Sequence, residues 1–169
     1  MHKTLGITRA DLENLLDRGF RYGVALTHDD MQAEDLVQEA CMRMVKMLKP
    51  WEPAYFFAII RNRFIELYRH RKKFPSIPFE EVNAKEVPDE KFLRDAEELT
   101  ANTESLEKAL TNLTAAEREI LFLFIIEGYT AKEIAEMIDR PRNSVLSIVY
   151  RSRMKLRKIL ENEQAEVPP

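Results

Sequence analysis

The sequence predicts an all-α protein: two small helical domains joined by an acidic, flexible linker, the second a helix-turn-helix. Three observations carry that expectation. Apolar residues recur at helical period in separate segments along the 169-residue chain. Two hydroxyl–carboxylate pairs, Thr114 with Glu117 and Thr130 with Glu133, have capping-box spacing, in which each side chain satisfies an orphan backbone N–H at a helix start. Finally, the chain has only four glycines, few for a sheet-rich fold or a phosphate-cradling loop.

Residues 1–7 are expected to be loose. Thr8 and Asp11 then cap a first helix reaching about Leu26, with Leu12, Leu15, Leu16, Phe20 and Val24 apolar. His28-Asp29-Asp30 reads as a break and N-cap before a second helix, from about Met31 to Leu48. One face of that helix is an apolar stripe (Leu36, Val37, Ala40, Cys41, Met44, Met47, Leu48). Asp35, Gln38, Glu39, Met42 and Lys46 project the other way. Cys41 is the single cysteine, which excludes an internal disulfide or a multi-cysteine zinc site and suits core packing.

Lys49-Pro50-Trp51-Glu52-Pro53 is a loop, with Pro53 suited to the first helical position. The third helix runs to about Arg71, and Phe56, Ile60, Phe64 and Leu67 give it a core face. Tyr55, Asn62, Glu66, Arg69 and Lys73 gather on another face. From Arg61 to Lys73 six bases (Arg61, Arg63, Arg69, Arg71, Lys72, Lys73) accompany one acid, Glu66. Aromatics beside cations suit single-stranded nucleic acid, because bases stack while the charges follow the backbone.

From Phe74 to Leu106 the character changes. Pro75, Pro78 and Pro88 interrupt the stretch, and nine acids stand against three bases. Residues 74–102 are read as a linker with a transient helix around Lys91 to Leu99. Helix resumes from Thr103 to Thr111. The first capping box opens Ala115 to Glu127, whose run from Ile120 to Ile126 is apolar all round and is expected to be central and buried, with Gly128 as its left-handed cap. The second box opens a short helix carrying Ile134, Ala135 and Ile138, which Asp139-Arg140-Pro141 breaks. A last helix spans about Asn143 to Leu160. Its apolar face is Val145, Ile148, Val149, Ser152, Leu156, Ile159 and Leu160, while Leu146 shares an outward arc with Tyr150, Arg153 and Arg157. Seven bases and no acid lie between Arg140 and Lys158, a run that points to nucleic-acid contact because solvated faces normally mix signs. The tail from Glu161 is expected to be disordered.

The net charge of −3 does not oppose this reading, because basic and acidic segments are segregated and local fields decide binding. His2, His28 and His70 are scattered, and no carboxylate pair or metal-ligand spacing stands out, so no enzyme activity, cofactor or metal is expected. No signal peptide is expected from the opening residues, and the longest apolar run falls short of the roughly 20 residues of a membrane span. A cytoplasmic protein without membrane contact is expected.

Glu133-Ile134-Ala135, Pro141, Ser144-Val145, Ser147 and Arg151-Ser152-Arg153 together resemble the C-terminal domain of bacterial sigma factors, most of all the small extracytoplasmic-function group of the sigma-70 family. The resemblance implies that the last helix enters the major groove of the minus-thirty-five promoter element. Arg142, Asn143, Ser144, Ser147, Tyr150, Arg151, Arg153 and Arg157 would then touch upstream DNA. The family usually has glycine at Asn143, a lysine or arginine at Leu146, and arginine at Ile148. Leucine cannot donate to guanine, so weakened base readout is expected there.

Glu34-Asp35-Leu36-Val37-Gln38-Glu39 resembles the family's grip on a coiled coil of the polymerase β′ subunit, which assigns Asp35, Gln38, Glu39 and Met42 to RNA polymerase. Ile59-Ile60-Arg61-Asn62, with Glu66 and Arg69, is similar to the segment that opens and reads the minus-ten element. Minus-ten contacts are accordingly expected at Trp51, Tyr55, Arg61, Asn62, Arg69 and Lys73. Trp51 is read two ways, as part of a flipped-base site or as a cap on the local core. Tyr55 stands for the family's tryptophan and Glu66 for its aspartate. Partners implied are core RNA polymerase (β′ and β subunits), promoter DNA, and an anti-sigma factor or a DNA-bound recruiting protein. Two other functions stay open: a helix-turn-helix regulator that works without polymerase, and a sigma mimic that sequesters an anti-sigma factor.

The expected domains are residues 1–73 and 103–160, with the linker 74–102 between them and the tail 161–169 after.

Overall fold

The computed structural model describes residues 6–70, 89–95 and 103–165. The chain divides into two compact units, Met1–Ser76 and Ile77–Pro169.

The first unit is a three-helix bundle: α1 (Arg9–Thr27), α2 (Asp30–Met47) and α3 (Pro53–His70). The Thr8 side chain accepts from the Asp11 amide, and Asp29 caps α2 by accepting from the Gln32 amide at 2.8 Å. Between α1 and α2 the chain turns through His28, whose φ of 54° closes α1 in a left-handed cap. The helices meet over Leu15, Tyr22 and Leu26 of α1, Leu36, Ala40 and Met44 of α2, and Phe56, Phe57, Ile60 and Phe64 of α3, all buried. Gly19 permits the closest approach: a Cβ there would lie 2.4 Å from Phe56 Cε1. Cys41 is half-buried, and burial pushes its thiol above the usual range, which suits a packing role.

The second unit holds α4 (Glu90–Asp95), α5 (Thr103–Thr111), α6 (Ala115–Leu121), a π-helical turn (Phe122–Ile126), α7 (Ala131–Ile138) and α8 (Arg142–Ala165). Both capping boxes form as expected: Glu117 Oε2 accepts from the Thr114 amide and Glu133 Oε2 from the Thr130 amide, each at 2.8 Å. Gly128 takes the left-handed cap at φ 73°. Asp139, at φ 55°, ends α7 and lets the chain turn into α8.

Three expectations are corrected. The apolar run is not buried all round: Ile125 and Ile126 are 52% and 59% exposed. The Glu127 amide bonds back five residues to the Phe122 carbonyl, so the turn widens and the run no longer presents one face to the core. Residues 161–165 are helical, continuing α8. Arg157 Nε pairs with Glu161 Oε1 at 2.9 Å, one turn on, and no proline intervenes before Pro168. The third correction lies on α8. Leu146 was expected to face outward and Ser147 to read bases, yet they are only 2% and 7% exposed. Five consecutive residues, Val145 to Val149, are buried, which a helix covered on one side alone does not allow.

The linker expectation falls on residues 74–102, of which only 89–95 are described. Those seven include α4, which packs against α8. Lys73, most of the linker and residues 1–5 and 166–169 lie outside the described residues.

Candidate nucleic-acid interface

On α2, Asp35, Gln38 and Met42 are exposed, as expected of a docking face. Glu39 differs. Its carboxylate accepts from Arg63 Nε of α3 at 2.6 Å and from Arg43 Nη2 at 3.2 Å, and the side chain is half-buried. Its geometry is that of a brace between helices. Met31, Val45, Met47 and Leu48 add exposed apolar surface to the same helix and the loop after it.

Trp51 lines a cleft of about 650 Å³, together with Leu15 and Arg18 of α1 and with Lys49, Pro50 and Pro53. Its ring tilts against Phe56 at 6.1 Å, and its buried indole N–H finds no hydrogen-bond acceptor among the described residues. The packing fits the core-cap reading, and an idle buried donor beside a cleft fits the base-binding one. Tyr55 donates its hydroxyl to Met47 Sδ at 3.0 Å, and Lys49 Nζ sits 5.2 Å from its ring centre. From about two turns along α3, Arg61, Asn62, Ile65, Glu66 and Arg69 line a shallow recess of about 660 Å³. Within this unit the expected minus-ten residues therefore form two neighbouring groups: Trp51 and Tyr55 at the start of α3, Arg61, Asn62 and Arg69 along it.

On α8 the expected upstream residues divide. Asn143, Tyr150, Arg151 and Arg157 are exposed and Ser144 is half-buried. Arg142 and Arg153 are engaged by α4. Glu90 binds Arg142 Nη2 through Oε2 at 3.2 Å, and its Oε1 accepts from the Ala131 amide at the start of α7 at 3.1 Å. Arg153 donates to the Leu93 carbonyl, and burial lowers the Arg153 pKa from its usual value. Arg94 lies 4.0 Å from the Phe124 ring centre and donates to the carbonyls of Phe124 and Tyr129. Burial alone would raise the Glu90 carboxyl, but the Ala131 amide and the guanidinium groups of Arg94 and Arg142 outweigh it and hold the carboxyl below its ordinary value.

Glu90, Leu93 and Arg94 are the residues that sequence reasoning missed as part of this interface. A local signal existed, because Glu90 and Arg94 have ion-pair spacing and Leu93 lies between them on one short helical turn. Nothing local marks their partners, which stand 30 to 60 residues away in the chain.

Two family models match the chain: "Sigma-70 region 2" over residues 13–74 and "Sigma-70, region 4" over residues 103–156. Curated relatives agree. The ECF RNA polymerase sigma factor SigE of Mycolicibacterium smegmatis is 28% identical over 158 residues, covering 89% of this chain and 60% of that protein. The ECF RNA polymerase sigma factor EcfG of Rhodopseudomonas palustris is 29% identical over 152 residues, covering 86% of this chain and 80% of that protein. This chain is a sigma factor of the extracytoplasmic-function group of the sigma-70 family. A solved structure, the sigma factor RpoE in complex with the anti-sigma factor NepR from Bartonella quintana, aligns with a TM-score of 0.67 at 22% identity, covering 90% of this chain and 96% of that one. The sigma factor thus has the fold of that chain. It spans 60% of the length of SigE, the first of these relatives. Among the described residues no helix is long and apolar enough to cross a membrane.

Proposed function

We propose that this sigma factor binds core RNA polymerase and directs it to promoter DNA as a non-enzymatic initiation subunit. The observation that carries the reading is the order of two independent matches, region 2 and then region 4, each on its own compact unit. Asp35, Gln38 and Met42, open on α2, are assigned to the polymerase β′ subunit, with Glu39 supporting the face from beneath. Trp51, Tyr55, Arg61, Asn62 and Arg69, with Lys73 beyond the described residues, are assigned to the melted minus-ten strand, where rings stack on bases and cations follow phosphates. Arg142, Asn143, Ser144, Tyr150, Arg151, Arg153 and Arg157 are assigned to upstream DNA. Phosphate contacts there would fix position and contribute little sequence information. Promoter choice would then rest mainly on the first unit, or on a DNA-bound partner that recruits the holoenzyme. The domains proposed are 1–73 and 103–160, the second joined by α4 and by the continuation of α8, with the rest of 74–102 connecting them.

The test is a pull-down with core polymerase followed by transcription from the eluted complex, using promoters whose upstream element is scrambled at fixed spacing. Promoter-dependent transcripts with a modest loss on scrambling are expected. No polymerase in the eluate would reject the initiation-factor reading, and collapse to background on scrambling would reject weak upstream readout.

One observation favours a second reading. Burial of Leu146 and Ser147 removes two side chains from a DNA-reading face, as a sigma mimic would tolerate. Such a protein would bind an anti-sigma factor, the kind of partner in the RpoE–NepR complex. A pull-down that captures an anti-sigma factor but not core polymerase would favour it.

A further inference from the structure

Arg142, Leu146 and Arg153 lie on one face of α8, since steps of four and seven residues return a helix to within about 40° and 20° of the starting direction. The two arginines at the ends of this face are both held by α4, Arg142 through the Glu90 carboxylate and Arg153 through the Leu93 carbonyl. Leu93 is 2% exposed and Leu146 between the arginines is equally buried, although the apolar face of α8 that packs into the unit is the one carrying Val145, Val149 and Leu156. A six-residue helix from the acidic stretch therefore covers the stretch of α8 that carries two of the cations assigned to DNA.

We propose that α4 is an autoinhibitory strap: in the free protein it occupies the DNA-docking face of α8, seated on Leu146, and it must leave before that face meets duplex DNA. This inference rests on the reading of α8 as a DNA-docking helix. It also gives a physical reason for the leucine at 146. A lysine or arginine there would put an unpaired cation under Leu93, whereas leucine gives the strap an apolar seat between two polar clasps. Glu90 acts as a stand-in for a phosphate, because it presents two anionic oxygens to a guanidinium and to a helix-start amide together.

The experiment measures binding of the full-length protein to a short mixed-sequence duplex by fluorescence anisotropy over a range of salt. Leu93→Asp, which unseats α4, should tighten binding about tenfold. Releasing Arg142 and Arg153 adds about two phosphate contacts, so the salt slope should steepen by roughly 0.9 for each. Glu90→Gln keeps the apolar seat and an acceptor oxygen for the Ala131 amide, and should tighten binding about threefold; it decides the matter if Leu93→Asp loses helicity. Arg151→Ala, on the exposed side of α8, should weaken binding in both backgrounds. Equal or weaker binding by the strap variants, with Arg151→Ala still weakening it, would overturn the strap and leave the docking reading standing. No effect of Arg151→Ala in any background would overturn the docking reading and the strap with it.

Discussion

Glu39 of α2 and Arg63 of α3 are joined by a 2.6 Å ion pair between half-buried side chains, and Glu66 binds the same guanidinium at 3.0 Å. The pair fastens the helix that presents Asp35 and Gln38 to the helix that presents Asn62 and Arg69. Glu39→Gln should therefore lower the stability of the first unit by about 1 kcal/mol, seen as a Tm fall of several degrees. Asp35→Lys with Gln38→Lys should leave Tm unchanged and abolish assembly with core polymerase on a native gel. Undiminished assembly of the double variant would remove these residues from the polymerase face.

Gly19 and Phe56 limit how closely α1 and α3 approach. A methyl at residue 19 would overlap the fully buried Phe56 ring, so the ring or one of the helices would have to shift. Gly19→Ala should cost about 1–3 kcal/mol in urea unfolding, against the gain usual for replacing glycine in a helix. A neutral or stabilising result would mean that the bundle relaxes at this crossing.

Much of this fold was legible because its determinants are local. Thr8, Asp29, Thr114 and Thr130 each stop a chain at a helix start through bonds spanning three residues, which sequence spacing reports directly. The turn through Asp139 and Pro141 was legible for the same reason. What could not be read depends on contacts distant in sequence. Leu146 is buried on a helix against which α4 also packs, and helical period cannot reveal a second covering element. The exposure of Ile125 and Ile126 follows from a wider turn that apolar content does not encode. Glu39 looked like a docking carboxylate because its partner, Arg63, lies 24 residues on.

Two carboxyls should make the second unit sensitive to acid. Glu133 is held below its ordinary value by the Thr130 amide and hydroxyl, and Glu90 by the Ala131 amide, Arg94 and Arg142. Groups with lowered folded values stabilise the fold above their ordinary carboxylate range, and this stability disappears as pH falls through the lowered values. The urea midpoint of the second unit should hold from neutrality to about pH 5 and decline below it. In Glu90→Gln with Glu133→Gln the decline should be shallower. An unchanged profile in that double variant would place the acid sensitivity elsewhere.

The acidic, proline-broken stretch should be the first site of limited proteolysis. With a protease of broad specificity, cuts between Phe74 and Pro88 should come first. The Glu90–Asp95 segment should be protected in the wild type and become sensitive in Leu93→Asp. Early cleavage within α2 or α8 would contradict the two-unit organisation.

The seating of α4 can also be measured without DNA. If Leu93 packs over Leu146, truncating either residue opens the same apolar contact, and the two losses will not add. Leu146→Ala and Leu93→Ala should each destabilise the second unit, the former by about 2–5 kcal/mol because it is a buried core truncation. The double variant should fall short of the sum by at least about 0.5 kcal/mol, the lower end for residues in contact. Leu146→Arg, which would place a cation beneath Leu93, should destabilise more than Leu146→Ala does. It should recover part of that loss when combined with Leu93→Asp, whose carboxylate offers the cation a partner. Additivity of the alanine pair within about 0.3–0.5 kcal/mol would mean that the two leucines are buried by different neighbours. Leu146 would then belong to the α8 core alone, and the arginines on either side of it would be held by α4 without an apolar seat between them.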